Sequence, residues 1–270
     1  MRAVVVLVAM QLFQVHINGR AEPYWFLVDT GSSYNFLDAN VAAQLGLQTR
    51  AAGTVRGAGA NAVDVRAADH VTFMIGDVRT TFDDVRLTDL SGLEALFQHR
   101  VDGFFGYPLL ERFAVTIDPE RQHLVLTDPA KYRKGEGTVL PIRFGGKSNR
   151  WIYAKATVKY AGVPPETSEF LIDSGSQDGV DHPAIRKSKG PLHEIRPGSG
   201  LGSSGAGSGV AGRAEWLRLG PYELKDVPSS CCGPLEGTER MIGSGVLSRF
   251  VVTYDYSRRR MIISAISPSR

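Results

Sequence analysis

The chain contains the same nine-residue pattern twice. Residues 25–33 read WFLVDTGSS and residues 169–177 read EFLIDSGSQ, so that Asp29 recurs as Asp173, 144 positions later. In each copy an apolar, strand-like run leads to an Asp in a turn of a hydroxyl residue, a glycine and a second hydroxyl residue. Two half-buried carboxylates placed in this way are what a protein needs to share one proton around one water.

The repeat continues beyond the two turns. Residues 101–113 match residues 240–250, and residues 115–118 match residues 252–255 at a constant offset of 137. Similarity that keeps its order over such long segments indicates two copies of one structural unit. Loop insertions account for the remaining differences in spacing.

Two markers of one family occur in each half. Each Asp turn is followed by an apolar-apolar-Gly element, which ends at Gly106, 77 residues after Asp29, and at Gly243, 70 residues after Asp173. In these residues the chain resembles the pepsin-like and retropepsin-like aspartic proteases, over roughly residues 11–265, and looks like a bacterial-type, single-chain relative with fused lobes. The resemblance implies an all-β, bilobal acid-protease fold made of two duplicated retropepsin-like β-barrel lobes with a few short helices.

Length and composition agree with two soluble lobes. The 270 residues divide into halves of about 130, and we predict an N-terminal lobe (1–132), a polar linker (133–137) and a C-terminal lobe (138–270). An apolar content of 43% and a charged content of 22% are ordinary for a globular protein. The net charge is +3, and its one dense run, Arg258 to Arg260, is predicted to be a solvated turn rather than a nucleic-acid patch.

The local pattern predicts many short strands and few helices. An alternating run that ends at Asn18-Gly19 predicts a hairpin whose return strand, Tyr24 to Val28, delivers Asp29 into its turn. Asp181 is expected to cap a helix that begins near Pro183. Further strands are predicted at 71–75, 80–87, 138–144 and 151–160, and short helices at 37–45 and, after a capping box that starts at Ser91, through Phe97.

The resemblance implies that Asp29 and Asp173 are the catalytic residues. Like charges at close range resist double ionisation, so the pair retains one proton and titrates as a unit. One water activated by such a pair can attack a peptide bond, and no separate acid or base role is assigned to either Asp. Gly31 and Gly175 lack side chains and therefore let backbone N–H groups approach the carboxylates closely.

Supporting roles in the two turns follow from the same resemblance. Thr30 and Ser174 are expected to point across the lobe interface and lock the turns together. Ser32 and Ser176 are expected to donate hydrogen bonds to the outer carboxylate oxygens, which favours the ionised form and lowers its pKa.

A flap is expected between each Asp turn and the following apolar-apolar-Gly element. In the first half the candidate is the segment 54–60, with Gly57, Ala58 and Gly59 as flap or substrate-binding residues. It lacks the tyrosine of pepsin flaps and resembles the Gly-rich flaps of retropepsin relatives. The Gly/Ser-rich segment 198–212 takes the corresponding place in the second half, and it fails as a dinucleotide site because no strand precedes it and its later glycines disfavour a helix.

These residues together predict an aspartic endopeptidase that hydrolyses a polypeptide bound in extended form in a cleft between the lobes. No metal or organic cofactor is required, neither a zinc motif nor a nucleic-acid site is expected, and a chain that supplies both turns is expected to act as a monomer. The alternatives are a catalytically silent peptide-binding module, a processing protease restricted to one partner and, on the Gly-rich segments alone, a nucleotide-dependent enzyme.

Two further features bear on cellular location and redox chemistry. The apolar run from Ala3 to Met10 fits an N-terminal strand and a clipped export signal equally well, and an export signal would indicate an exported or periplasmic protein.

Cys231 and Cys232 are adjacent and cannot close a long loop. We expect two small buried or half-buried residues, because a vicinal disulfide would be strained.

Overall fold

The structure is a computed structural model that describes residues 2–8, 12–57, 62–195, 209–232 and 238–266. It is an all-β bilobal fold with a few short helices, as the repeat predicts. Within the described residues, none of the helices has the length and apolar character that crossing a membrane requires.

The secondary structure is dominated by short strands. The strands of the first half are β1 (Arg2–Val8), β2 (Leu12–Ile17), β3 (Tyr24–Val28), β4 (Phe36–Asp38), β5 (Arg50–Arg56), β6 (Ala62–Ala68), β7 (Val71–Ile75), β8 (Val78–Phe82), β9 (Val85–Thr88), β10 (Gly103–Phe105), β11 (Ala114–Asp118) and β12 (His123–Thr127). Those of the second half are β13 (Thr138–Pro141), β14 (Arg143–Gly145), β15 (Trp151–Lys159), β16 (Glu166–Asp173), β17 (Val180–Asp181), β18 (His193–Ile195), β19 (Gly209–Leu219), β20 (Tyr222–Cys231), β21 (Met241–Gly243), β22 (Phe250–Asp255) and β23 (Arg260–Ala265). The helices are α1 (Ala39–Gln44), α2 (Leu93–Phe97), α3 (Tyr107–Arg112) and α4 (Ser244–Leu247), with 3₁₀ turns at Pro183–Lys187 and Tyr256–Arg258.

Both halves place the Asp turn within the same arrangement of four strands. In the first half β3 pairs in parallel with β10, β10 is antiparallel to β4, and β4 is parallel to β9. The strands β16, β21, β17 and β20 repeat this order and these directions in the second half. The strands β10 and β21 carry the apolar-apolar-Gly elements and are fully buried. Each element therefore supports an Asp turn from below.

A six-stranded sheet joins the halves in the order β13-β23-β22-β11-β12-β1. Strands β11 and β22 meet at its centre, where the hydroxyls of Thr116 and Thr253, 137 positions apart in the repeat, lie 2.7 Å from each other. Equivalent residues that contact each other indicate an approximate two-fold axis between the copies. Because each half contributes three strands, the halves are held by more than the linker predicted at 133–137.

Strand β1 accounts for the apolar N-terminal run. It pairs with β12 over five residues and with β2 through Leu7 and Val8. Ala3 and Leu7 are buried, whereas Val4 and Val6 face outward. Of the two alternatives for this segment, the strand is the one that the structure shows for Arg2–Val8.

Several predicted element boundaries were wrong. The helix predicted at 37–45 begins at Ala39, because Phe36–Asp38 is a strand and the Asp38 side chain caps the helix. The strand predicted at 80–87 is interrupted by a turn in which Asp84 has a φ of 55°, so it divides into β8 and β9. The strand predicted at 138–144 likewise divides at Ile142.

Two predicted helix caps were also wrong. Helix α2 has Gly92 at its N-cap, with no side-chain hydrogen bond, so Ser91 does not form a capping box. The 3₁₀ turn at Pro183–Lys187 is capped by His182, whose Nδ1 accepts a hydrogen bond from Ala184 N at 3.2 Å. Asp181 instead lies in β17, where it accepts a hydrogen bond from the Ser230 hydroxyl.

The arginine run lies in the exposed turn between β22 and β23, as predicted, and it also contacts a buried carboxylate. Asp255 is fully buried, and it binds Arg258 Nη1 at 3.1 Å and Arg260 Nε at 2.9 Å. Burial opposes ionisation of Asp255, but hydrogen bonds from Ser257, Arg260 and Arg258 outweigh it and lower its pKa. Two of the three arginines therefore neutralise a buried carboxylate.

The cysteines differ from the prediction as well. Cys231, at the end of β20, and Cys232 form a vicinal disulfide rather than two separate thiols. Cys231 is buried and Cys232 is half-buried, as expected for small apolar residues.

Candidate active site

The first Asp turn begins where β3 ends. Asp29 N donates to Phe105 O at 2.9 Å, so the register of β3 on β10 fixes the position of the Asp. Within the turn, Gly31 N donates to Asp29 Oδ1 at 2.8 Å. The carboxylate of Asp29 is thereby aimed by the backbone of its own turn.

The second turn repeats this geometry in the other half. Asp173 is the last residue of β16, and its backbone pairs with Gly243 on β21. Its Oδ1 accepts hydrogen bonds from Gly175 N at 3.0 Å and from Ser176 N at 3.1 Å. Backbone N–H groups therefore hold both Asp side chains.

The two turns bring Asp29 and Asp173 together, because each carboxyl group lies against the glycine of the opposite turn, and both side chains are half-buried. Desolvation by the surrounding chain raises the pKa of both residues, and the charge of Asp173 raises that of Asp29 further. The N–H groups of the turns act in the opposite direction. Because the ionised forms repel each other, the pair keeps one proton to a higher pH than an isolated Asp does.

The turn glycines sit against the carboxyl groups of the opposite half. A Cβ on Gly31 would lie 2.6 Å from Asp173 Cγ, and a Cβ on Gly175 would lie 2.5 Å from Asp29 Cγ. Real Cβ atoms do not approach other heavy atoms this closely, so both positions require glycine if the carboxyl groups are to meet.

Thr30 and Ser174 cross between the turns and are almost completely buried. The Thr30 hydroxyl donates to Ile172 O at 2.6 Å and accepts from Ser174 N at 2.9 Å. The Ser174 hydroxyl donates to Val28 O at 2.7 Å and accepts from Thr30 N at 3.1 Å. Each hydroxyl thus satisfies a donor and an acceptor of the opposite half, which is the interlobe contact expected from the sequence.

The hydroxyls of Ser32 and Ser176 do not reach the carboxylates, contrary to the prediction. Ser32 Oγ donates to Tyr34 O at 2.8 Å, and Ser176 Oγ donates to Asp178 Oδ2 at 3.2 Å. The second turn contacts its Asp through Ser176 N instead. Backbone N–H groups of the turns therefore donate to the carboxylates in place of the two hydroxyls. The hydroxyls instead hydrogen-bond to residues that follow each turn.

The first-half flap candidate is the hairpin of β5 and β6. These strands pair from Arg50 opposite Ala67 to Arg56 opposite Ala62, and Gly57 follows β5 directly and is half-buried. Ala58 and Gly59 lie outside the described residues, as does most of the segment 198–212. Its last residues, from Gly209, belong to strand β19 and not to a helix.

Sequence reasoning missed a contact between the halves at the first turn. Arg150 Nη1 donates to Ser33 O at 2.8 Å, and its guanidinium lies 5.3 Å from the ring centroid of Tyr34 and 5.2 Å from that of Tyr107. Arg150 and Ser33 are 117 positions apart, and no pattern near either residue pointed to the other. Sequence reasoning also did not single out Asp178, which accepts the Ser176 hydroxyl. The repeat offset of 144 makes Asp178 the equivalent of Tyr34.

A known protein family matches the first half of the chain. Residues 13–109 match the model of a family described as aspartyl protease, a segment that contains Asp29 and the element ending at Gly106. None of the curated proteins matches the chain. The match supports an assignment to the aspartic protease family and, with it, a proteolytic function.

Proposed function

We propose that this protein is an aspartic endopeptidase in which Asp29 and Asp173 form the catalytic dyad. The observation that carries the proposal is the close approach of two carboxyl groups that come from equivalent turns in different halves, each against the glycine of the opposite turn. Two acids in contact have little structural use, because each raises the cost of ionising the other. They are well suited to chemistry that needs one proton and one negative charge at the same place.

The reaction follows from the shared proton. The ionised member of the pair accepts a proton from a water that attacks the peptide carbonyl, and the protonated member donates toward the carbonyl oxygen. Collapse of the tetrahedral intermediate returns a proton to the leaving amine. Since Asp29 and Asp173 exchange these states, neither is assigned one fixed role. All steps use the chain's own carboxyl groups.

Strand edges in both halves support an extended peptide as the substrate. In the order of the strands, β18 and β19 take the places in the second half that β5 and β6 take in the first. Peptides bound along strand edges hydrogen-bond through their backbone and place alternate side chains in pockets. Polypeptide is therefore the proposed substrate, and one chain, acting as a monomer, would provide the whole dyad.

Digestion of a mixed peptide library across pH tests the proposal. We expect cleavage by the wild type, loss of cleavage in Asp29→Asn and Asp173→Asn, and normal cleavage in Asp77→Asn, which removes a charge from an exposed turn elsewhere. The double dyad variant should be no worse than either single variant, because the residues act as a unit. Near-normal turnover by either single dyad variant would sink the proposal.

Two alternatives predict other results. A silent peptide-binding module would bind library peptides but cleave none at any pH. A processing protease restricted to one partner would leave the library intact, yet Asp29→Asn would block maturation of that partner.

A specific activity that stays constant on dilution of the enzyme is expected for a monomer.

A further inference from the structure

A cavity of ≈ 590 Å³ lies in the second half next to the catalytic turn. Its wall includes Asp178, which follows the Asp173 turn, and His193 and Arg213, which belong to β18 and β19; its floor includes Ser229 and Ser230 of β20. The volume falls within the range of about 300–1,000 Å³ that is usual for ligand sites. The charge of Asp178 also raises the pKa of Asp173, which places this wall close to the dyad.

Asp178 is the structural counterpart of Tyr34 in the first half. A Cβ on Gly106 would lie 2.4 Å from Tyr34 O, and a Cβ on Gly243 would lie 2.4 Å from Asp178 O. Both residues thus cross above the glycine of an apolar-apolar-Gly element. The two copies place different chemistry at this equivalent position: an aromatic ring in one half and a carboxylate in the other.

The two positions also differ in how they are covered. The Tyr34 ring is half-buried beneath the guanidinium groups of Arg86, at 4.3 Å, and Arg150, at 5.3 Å. The Asp178 side chain is exposed toward the cavity, and in the part of the chain that the structure describes its carboxylate binds Ser176 Oγ and no cation. The position is therefore filled in the first half and open in the second.

Among the described residues that line the cavity, Asp178 is the one acid. Arg213 is already neutralised, because its Nε binds Asp226 Oδ1 and its Nη2 binds Asp226 O. Asp181 is buried, where it accepts the Ser230 hydroxyl, and it does not line the cavity. His193 is exposed at the rim. A ligand group that enters the cavity therefore meets the carboxylate of Asp178 without a competing cation.

The Asp178 backbone is held firmly enough to give selectivity. Gly245 N donates to Asp178 O at 3.0 Å, and Gly243 N donates to the neighbouring Gly179 O at 3.0 Å. Gly179 itself is packed so tightly that a Cβ would lie 2.2 Å from Pro228 O. Rigid placement of a charged group reduces the ordering cost of binding its partner.

We propose that this cavity is a substrate subsite for a Lys or Arg side chain, with Asp178 as its specificity-determining residue. The inference rests on the proposed function, since the occupant is a side chain of the peptide bound across the dyad. A hydrogen-bonded ion pair at a partly solvated position supports a preference of about tenfold over an apolar side chain of equal length.

Binding of hydrolysis-resistant peptides tests the subsite independently of catalysis. The probes are reduced-amide peptides that carry Lys or norleucine at one scanned position, and calorimetry gives their Kd for the wild type, Asp178→Asn and Asp77→Asn. We expect one position at which Lys binds about tenfold more tightly than norleucine in the wild type and in Asp77→Asn. The preference should disappear in Asp178→Asn, which keeps an acceptor for Ser176, and return in Asp178→Glu.

Two outcomes would overturn the inference: no position that prefers Lys, or an undiminished preference for Lys in Asp178→Asn. Cleavage of matched hydrolysable peptides separates this inference from the proposed function. A Lys preference without any cleavage would remove the endopeptidase and leave the subsite. Cleavage without a Lys preference would support the endopeptidase and remove the subsite.

Discussion

Gly31 lies against the carboxyl group of Asp173 from the opposite half, so close that a Cβ on Gly31 would be 2.6 Å from Asp173 Cγ. From the sequence we attributed this glycine to the approach of its own N–H to a carboxylate, and Gly31 N does bind Asp29 Oδ1. The crossed contact adds a second requirement. The distance between the two carboxyl groups depends on the absence of a side chain at Gly31 and, reciprocally, at Gly175.

Gly31→Ala should therefore separate the dyad. The new methyl group has no free space, so one turn must shift by about 1 Å to restore an ordinary contact, and overpacking of this kind costs about 1–3 kcal/mol of unfolding free energy. A displacement of reacting groups on this scale should lower kcat/KM by about 100-fold. Urea unfolding and peptide cleavage measure the two effects.

Gly135→Ala is the matched control. A Cβ on Gly135 meets no atom within 4 Å and the residue is exposed outside the helices and strands, so this variant should keep wild-type stability and kcat/KM. Full activity in Gly31→Ala would show that the carboxyl groups do not need the contact seen here.

The crossed hydroxyls predict coupled losses of stability. Thr30→Val and Ser174→Ala each leave a buried backbone N–H and a buried carbonyl without their partner, and each should cost about 1–3 kcal/mol of unfolding free energy. Because the hydroxyls bind the same pair of turns, the double variant should cost less than the sum of the single variants. Chemical denaturation of all three gives the coupling energy.

A hydroxyl pair elsewhere serves as the control for this cycle. Thr157 and Thr167 face each other across β15 and β16 at 2.8 Å on an exposed surface. Thr157→Val should change the unfolding free energy by no more than about 0.5 kcal/mol, since water replaces the lost partner. Additive losses in Thr30→Val and Ser174→Ala would contradict a shared network.

The features predicted well from sequence are those fixed by short patterns in the repeat. The Asp turns, the buried strands β10 and β21, and the crossing of Thr30 with Ser174 all depend on residues within one turn or its duplicate. Their positions follow once the two copies are aligned, because equivalent patterns adopt equivalent backbone geometry.

The features missed depend on contacts between distant segments. Asp181 seemed free to cap a helix, but pairing of β17 with β20 brings it to Ser230 and leaves the cap to His182. From the sequence, the Ser32 hydroxyl could donate either to the Asp29 carboxylate or to a nearby backbone carbonyl. In the structure it donates to Tyr34 O. Such choices between competing acceptors are set by tertiary packing and not by residue type.

The hydrogen bonds of the Ser32 and Ser176 hydroxyls lead to a prediction on the pH dependence of activity. Ser32→Ala and Ser176→Ala should leave the acid limb of the kcat/KM profile where it is, because neither hydroxyl donates to Asp29 or Asp173. If a hydroxyl did bind a carboxylate in the active enzyme, its loss would move the limb upward by about one to two pH units. Profiles of both variants beside the wild type decide between these results.

Asp181 predicts how stability changes with pH. Burial, and next the charge of Asp178, raise the pKa of Asp181 to about 7 in the folded protein, against about 3.9 for an unfolded chain. Below pH ~4 the residue is protonated in both states and contributes its full stability. As the pH rises to about 7 the unfolded chain releases this proton while the folded chain retains it, so the folded state loses stability.

Asp181→Asn should remove this loss, because the amide stays neutral and its oxygen still accepts the Ser230 hydroxyl. The variant should match the wild type near pH 4 and exceed its unfolding free energy at pH 8, by at most about 4 kcal/mol for a difference of roughly three pKa units. The elevated pKa values of Asp29 and Asp173 act in the same direction and leave part of the pH dependence in place. Urea titrations at pH 4, 6 and 8 measure the difference, with Asp77→Asn expected to follow the wild type throughout. An Asp181→Asn curve that runs parallel to the wild type from pH 4 to 8 would show that Asp181 ionises in the folded protein as readily as in the unfolded chain.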